Sequence, residues 1–192
     1  MDTVRAFIAI ELTPPTLDRL GDLQARLRQD LPPRLVRWVR PQGIHLTLKF
    51  LGEITASGVD AVSEAMADAC VAHASFSLSV HGLGCFPSLR RPRVLWVGVE
   101  EPTGVLAALQ RDVERALVPL GFSPETWPFS PHLTLGRLKE GARGQIEALG
   151  QVVSQAKARV GEMPVTAVHL MRSDLLPGGA VYTSLSVARL GG

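Results

Sequence analysis

Cysteine is scarce in this sequence: Cys70 and Cys85 are the only two among 192 residues. Two thiols make no disulfide framework. No C-x-x-C or H-E-x-x-H spacing occurs, so a structural zinc is not expected, and neither is any other metal. Free thiols fit a reducing compartment. Long apolar runs are missing as well, and none approaches the ~20 residues of a membrane-spanning helix. The opening stretch, MDTVRAFIAIEL, lacks the basic and long apolar regions of a signal peptide. The expectation is a cytoplasmic protein without membrane contact. Lysine is rare too, 3 residues against 17 arginines. Arginine is weakly hydrated and forks onto phosphate, so the bias fits a phosphate-bearing partner, although a genomic preference for arginine codons produces the same count. Net charge is only +2, and composition alone says little about partners.

What is present suits a folded chain. Hydrophobic residues make up 46% and charged residues 20%, enough apolar content for one domain of two similar lobes. RAFIAIEL (Arg5–Leu12) reads as a strand. Thr13 can cap a helix with Pro14 or Pro15 in its first turn, and the leucines at 17, 20, 23 and 27 carry it to Leu31, where Pro32-Pro33 stops it. Val36–Arg40 is extended. A second helix runs from Ser57-Gly58 to about His73. Phe76–Phe86 and Val94–Glu100 form a hairpin across the turn PSLRRP. A third helix spans Thr103–Pro119 and a fourth Arg143–Val160. Met163–Leu175 and Ala180–Leu190 pair across Pro177-Gly178-Gly179. Helices interleaved with hairpins predict an α+β fold of mainly antiparallel sheets, in which each half of the chain builds one pseudo-symmetric lobe with helices outside and a central cleft.

The tetrapeptide HLTL occurs twice, at His45–Leu48 and His132–Leu135, 87 residues apart. The longer stretches HLTLKFLGE and HLTLGRLKE agree at six of nine positions. Side chains alternate along a strand. His45, Thr47 and Lys49 therefore share one face, and Leu46, Leu48 and Phe50 the other. In the second copy His132, Thr134 and Gly136 share a face opposite Leu133 and Leu135. The leucines belong to the core. A single histidine beside a threonine is more often structural than catalytic, but the duplication of both residues favours chemistry. His73, His81 and His169 lack the pattern and read as structural.

Two histidines with unperturbed pKa near 6.5 can supply an acid and a base at neutral pH. A threonine hydroxyl beside each can donate to a nonbridging phosphoryl oxygen. Two such strands facing each other would surround a phosphodiester on both sides, as in-line displacement requires. This chemistry needs no cofactor.

At this point the sequence resembles a family. The two H-x-T-x motifs, with the flanks RAFIAIEL, VRWVRPQGIHLTLKFLGE, FPSLRRPRVLWVGV, LGFSPETWPFSPHLTLGRLKE and VHLMRSDLLPGGAVYTSL, are similar to those of the RNA 2′,3′-cyclic phosphodiesterases. These proteins, also called 2′-5′ RNA ligases, belong to the two-histidine (2H) phosphoesterase superfamily. The resemblance implies a bilobal fold. It also implies hydrolysis of a terminal 2′,3′-cyclic phosphate to a 2′-phosphate, with reversible 2′-5′ joining of RNA ends. The implied catalytic residues are His45, Thr47, His132 and Thr134, and the implied partners are RNA ends or cyclic nucleotides. The expected roles are His132 as base for water and His45 as acid toward the 3′-oxygen, exchanged in the reverse direction.

Four residues are expected to bind substrate. Lys49 shares the His45 face. Arg137 follows the second motif and reaches the cleft only if the strand bulges, ends or twists there. Arg93 lies in the basic turn with Arg90 and Arg91. Phe86, with Trp96, Trp127 and Tyr182, is a candidate for stacking on a base, although strand aromatics usually pack in cores. No obligate protein partner is evident, and a monomer is expected. Two alternatives stay open: a related enzyme acting on another cyclic phosphate or oligonucleotide end, and a non-catalytic RNA-end binder.

Overall fold

Each copy of HLTL lies in its own antiparallel sheet. The computed structural model describes residues 2–139, 145–156, 158–177 and 179–191. The first sheet has the order β3-β1-β8-β9, and the second β2-β6-β5-β4-β7. The first is built from β1 (Thr3–Glu11), β3 (His45–Thr55), β8 (Ala167–Leu176) and β9 (Gly179–Arg189). The second is built from β2 (Val36–Trp38), β4 (Phe76–Phe86), β5 (Val94–Glu100), β6 (His132–Leu138) and β7 (Arg159–Val165). Among the described residues four helices join them: α1 (Pro14–Asp30), α2 (Val59–Val71), α3 (Val105–Leu117) and α4 (Ile146–Gln155). Among the described residues no helix is long and apolar enough to cross a membrane.

Helix α1 shows how local sequence sets an element. Thr13 is its N-cap, and Pro14 and Pro15 occupy the first two positions, where an N–H would lack an intrahelical partner anyway. The Thr13 hydroxyl pairs with that of Thr16 rather than with a backbone N–H. Leu20, Leu23 and Leu27 then bury one face. In α3 the expected stripe of Leu106, Leu109, Val113 and Leu117 is buried in full. Burying a leucine completely stabilises the fold by about 1.5–3 kcal/mol.

Two boundaries differ from expectation. The fourth helix ends at Gln155, and Arg159–Val165 is strand β7. After Val153, apolar burial passes from helical spacing to steps of two, Ala158 and Val160 and then Met163 and Val165, on either side of a register shift at Val160. The expected strand Met163–Leu175 is two strands that separate at Thr166, and β7 and β8 join different sheets. Pro164 is accommodated because β7 is an edge strand. Arg143, the expected start of the fourth helix, and Gly178, the middle of the expected last turn, lie outside the described residues.

The lobes do not coincide with the halves of the chain. β4 comes from the first half but pairs with β5 and β7 in the second sheet. The β8–β9 hairpin comes from the second half but joins β1 in the first sheet. Strands β3, β1, β8 and β9 thus match β6, β5, β4 and β7 in order. Only β2 has no counterpart. The helices cross over as well: α1 supports the second sheet through Gln24, and α3 supports the first through Gln110. A single apolar cluster runs through both sheets and all four helices.

Candidate active site

Alternation breaks at the same place in both HLTL strands. In β3, Thr47 faces Ala9 and Lys49 faces Ile8, so Leu48 is an extra residue. In β6, Thr134 faces Trp96 and Gly136 faces Leu95, so Leu135 is extra. Each is a β-bulge, and every side chain beyond a bulge changes face. The prediction for Lys49 is corrected by this. It turns away from His45 into the core, is only 3% exposed, and pairs with Glu114 of α3 at 3.0 Å and the Ser123 carbonyl at 2.9 Å. Arg137 moves the other way, onto the face of Thr134, where it sits opposite Val94. Its equivalent in the first sheet is Phe50, 65% exposed and opposite Phe7.

The bulges are held from behind by buried glutamines. Gln24 of α1 donates to the Leu135 carbonyl at 2.9 Å and to that of Val39 at 2.8 Å. Gln110 of α3 donates to the Leu48 carbonyl at 3.4 Å. Gly136 admits β2 to the edge of the second sheet, because a Cβ there would lie 2.4 Å from Cγ1 of Val36.

The two histidines are fixed in the same way. Nδ1 of His45 lies 3.1 Å from the Gly43 carbonyl, and Nδ1 of His132 lies 2.7 Å from that of Ser130. The carbonyls can only accept, so each Nδ1 carries the proton and each neutral ring keeps a free lone pair on Nε2. The rings are walled by aromatics. Phe7 stacks on His45 at 4.6 Å, with Tyr182 edge-on at 5.0 Å. Phe86 meets His132 edge-on at 4.7 Å. Burial disfavours the charged ring and holds His45 down at about 4; the Gly43 carbonyl opposes this, and the nearby His132 lowers it further. Burial likewise lowers His132, against the pull of the Ser130 carbonyl. Thr47 and Thr134 are half-buried on the same faces as their histidines.

The remaining expectations divide. Phe86 lies on the His132 face. Arg93 is exposed beside it at the hairpin end, where its backbone bonds to Phe86 and Leu138 close the sheet. Arg90 and Arg91 are exposed in the turn. Trp96 lies across Gly84, where a Cβ would overlap its ring, and its buried indole N–H has no hydrogen-bond partner among the described residues. Tyr182 belongs to the first site wall, and Trp127 is 83% exposed in the segment before β6. His73 pairs with Asp112, and His81 with Glu100. His169 contacts Glu11 at 3.4 Å and shares the face of Thr47 through Ala9. Phe7 was not singled out from sequence, and Phe50, the counterpart of Arg137 in the aligned repeat, was expected on the leucine face rather than exposed. Alternation in RAFIAIEL would have placed Phe7, but Phe50 required the bulge. Among the described residues no group of three His, Cys, Asp or Glu side chains is placed to hold a metal.

Comparison with known proteins agrees with the duplication. The family described as LigT like Phosphoesterase matches residues 10–96 and again 97–182, once per half. An RNA 2′,3′-cyclic phosphodiesterase of Methanothermobacter thermautotrophicus is 36% identical, over 97% of this chain and 99% of its own. Another, from Aquifex aeolicus, is 31% identical over the whole of both chains. Among solved structures, E. coli LigT complexed with 3′-AMP superposes over the whole of both chains with a TM-score of 0.81 at 26% identity. TT0787 of Thermus thermophilus superposes over 98% of each, with a TM-score of 0.79 at 29% identity.

Proposed function

The chain belongs to the LigT-like phosphoesterase family, and from that premise we propose that it hydrolyses the 2′,3′-cyclic phosphate at an RNA end to a 2′-phosphate. The observation that carries this reading is the twinned histidine. Two imidazoles of the same tautomer, each beside a threonine hydroxyl, come from equivalent strands of opposite sheets. One Nε2 removes a proton from water as its oxygen attacks phosphorus. The bond from phosphorus to the 3′-oxygen breaks as the other histidine, which enters the cycle as imidazolium, gives its Nε2 proton to that oxygen. The Thr47 and Thr134 hydroxyls donate to the nonbridging oxygens, and Arg137 neutralises the phosphoryl group. With an RNA 5′-hydroxyl in place of water as the nucleophile, the same displacement joins a 2′-5′ linkage, and attack by the 3′-hydroxyl reverses it.

Burial suggests an order of roles opposite to the one expected from sequence. His45, pushed down to about 4, is unprotonated at neutral pH and so starts in the form a base requires. His132 has a less enclosed ring and suits the acid. The bulged positions differ in kind, Phe50 in one sheet and Arg137 in the other. A base stacks on the Phe50 side, and phosphate lies on the Arg137 side. Both motifs come from one chain, so a monomer completes the site. The reading is of a cytoplasmic enzyme that uses no cofactor.

The test is turnover of an oligoribonucleotide with a 2′,3′-cyclic end, followed by phosphorus NMR with and without chelator. A 2′-phosphate product is expected, unaffected by chelator, with turnover falling by a factor of 100 or more (on the order of 10²–10⁴, the usual contribution of an acid or base) in His45→Ala and in His132→Ala. A 3′-phosphate product, or full activity in either variant, would refute the mechanism. Tight RNA binding without cleavage from pH 5 to 9 would indicate a binding protein instead.

A further inference from the structure

Strand β2 breaks the symmetry of the two sheets, and it carries an arginine directly beside the site. The register of β2 on β6 is Val36 to Leu138, Arg37 to Arg137 and Trp38 to Gly136. Directly paired residues share a face, so Arg37 stands on the face of Arg137, and the bulge has made that the face of Thr134 and His132. Both arginines are exposed. Among the described residues neither belongs to an ion pair. Like charges directly opposite each other on neighbouring strands repel, so the pair costs the fold stability unless an anion lies between or above them.

The platform beneath Arg37 is firmly built. Trp38 is packed against the core and lies under the guanidinium of Arg28, 5.3 Å from its ring centre. The Val39 N–H donates to the Leu135 carbonyl, and Gln24 donates to Val39. Six residues after Arg37, the Gly43 carbonyl fixes Nδ1 of His45. Arg37 is therefore tied through its own strand to one histidine and across the ladder to the strand of the other.

We propose that Arg37, together with Arg137, forms a subsite for a second phosphate, the internucleotide phosphate next to the reacting cyclic one. This rests on the reading of the site given above and deepens it. Arg137 lies beside the reacting phosphate, and Arg37, one strand farther out, takes the next phosphate along a single-stranded RNA end. The first sheet ends at β3 and offers no equivalent, so RNA has one polarity across the cleft. The ligand class is an RNA end of two or more nucleotides, in preference to a free cyclic mononucleotide.

The experiment compares a 2′,3′-cyclic mononucleotide, which has one phosphate, with a trinucleotide bearing a 2′,3′-cyclic end. For Arg37→Ala, kcat/KM on the trinucleotide is expected to fall about tenfold through KM, the loss of one charge-assisted phosphate contact. The slope of log KM against log salt should shrink by roughly 0.7, as for one phosphate contact to a single strand. Turnover of the mononucleotide should stay within twofold. Arg37→Lys should restore the salt slope, and thermal unfolding of Arg37→Ala should be no lower than wild type. An equal loss on both substrates, or no loss on the trinucleotide, would overturn the proposal. If the wild-type protein cleaves neither substrate, the functional reading has failed. Fluorescence anisotropy with a labelled trinucleotide ending in a 3′-phosphate then decides the subsite alone: weaker binding by Arg37→Ala supports it, and unchanged binding overturns it.

Discussion

Gln24 and Gln110 stand at equivalent places behind the two motif strands, each donating to the carbonyl of the extra leucine in a bulge. They come from helices that follow strands of opposite sheets, so each lobe's motif strand is braced by the other lobe's helix. The bracing is unequal. Gln24 makes two bonds, at 2.8 and 2.9 Å, and Gln110 one at 3.4 Å. Replacing Gln24 with leucine should cost about 1–3 kcal/mol, because the Val39 carbonyl loses its amide donor. Gln110→Leu should cost less. Urea denaturation of the two variants checks the order, and a larger loss for Gln110→Leu would mean that the bulges are not held this way.

Lys49 should matter to stability and not to substrate. Lys49→Ala leaves Glu114 buried without its cation and should cost about 3–5 kcal/mol, while Lys49→Met with Glu114→Leu should recover most of that. KM for the mononucleotide should be unchanged in the double variant. A tenfold rise in KM there would return Lys49 to the substrate.

Acid should destabilise the protein before it protonates most carboxylates. An unfolded chain binds a proton at His45 near 6.5, whereas the folded protein resists it down to about 4. Between these values the unfolded state holds more protons, so stability falls as pH drops from 6.5 to 4, by on the order of 3 kcal/mol for this one group. His45→Gln should flatten that slope in chemical denaturation carried out at several pH values. In wild type, kcat/KM should describe a bell lying on the acid side of neutrality, since both histidines are lowered. A plateau extending to pH 8 would contradict a singly protonated pair.

The roles of the two histidines separate when the leaving oxygen is replaced. A cyclic substrate with sulfur at the 3′ position needs little help from an acid, because a thiolate leaves unprotonated. His132→Ala should regain most of its lost rate on that substrate, and His45→Ala should not. The opposite pattern would make His45 the acid.

Much of this was legible in the sequence for identifiable reasons. Leucine periodicity placed α1 and α3, and alternation separated the leucine faces from the His/Thr faces. The repeat itself located His45, Thr47, His132 and Thr134. Alternation failed at Leu48 and Leu135, because a bulge is made by pairing with a neighbour and leaves no local pattern. That failure misplaced Lys49 and left Arg137 conditional. The exchange of strands between lobes was hidden for the same reason: nothing within Phe76–Phe86 says which sheet it will enter. Phe7 and Phe50 were visible as apolar residues, but the pairing of β1 with β3 is what sets Phe50 against Phe7, which stacks on His45.

The exchange of β4 for the β8–β9 hairpin bears on how the cleft can move. Each sheet contains strands from both halves of the chain, and each motif strand leans on a helix from across the divide. Such a molecule is laced, with no single hinge about which two bodies could swing. The gap between His45 and His132 is then an almost fixed gauge, set at folding and not at binding. A phosphate bound between them, as proposed, would be recognised by calibre, with little free energy spent on closing around it.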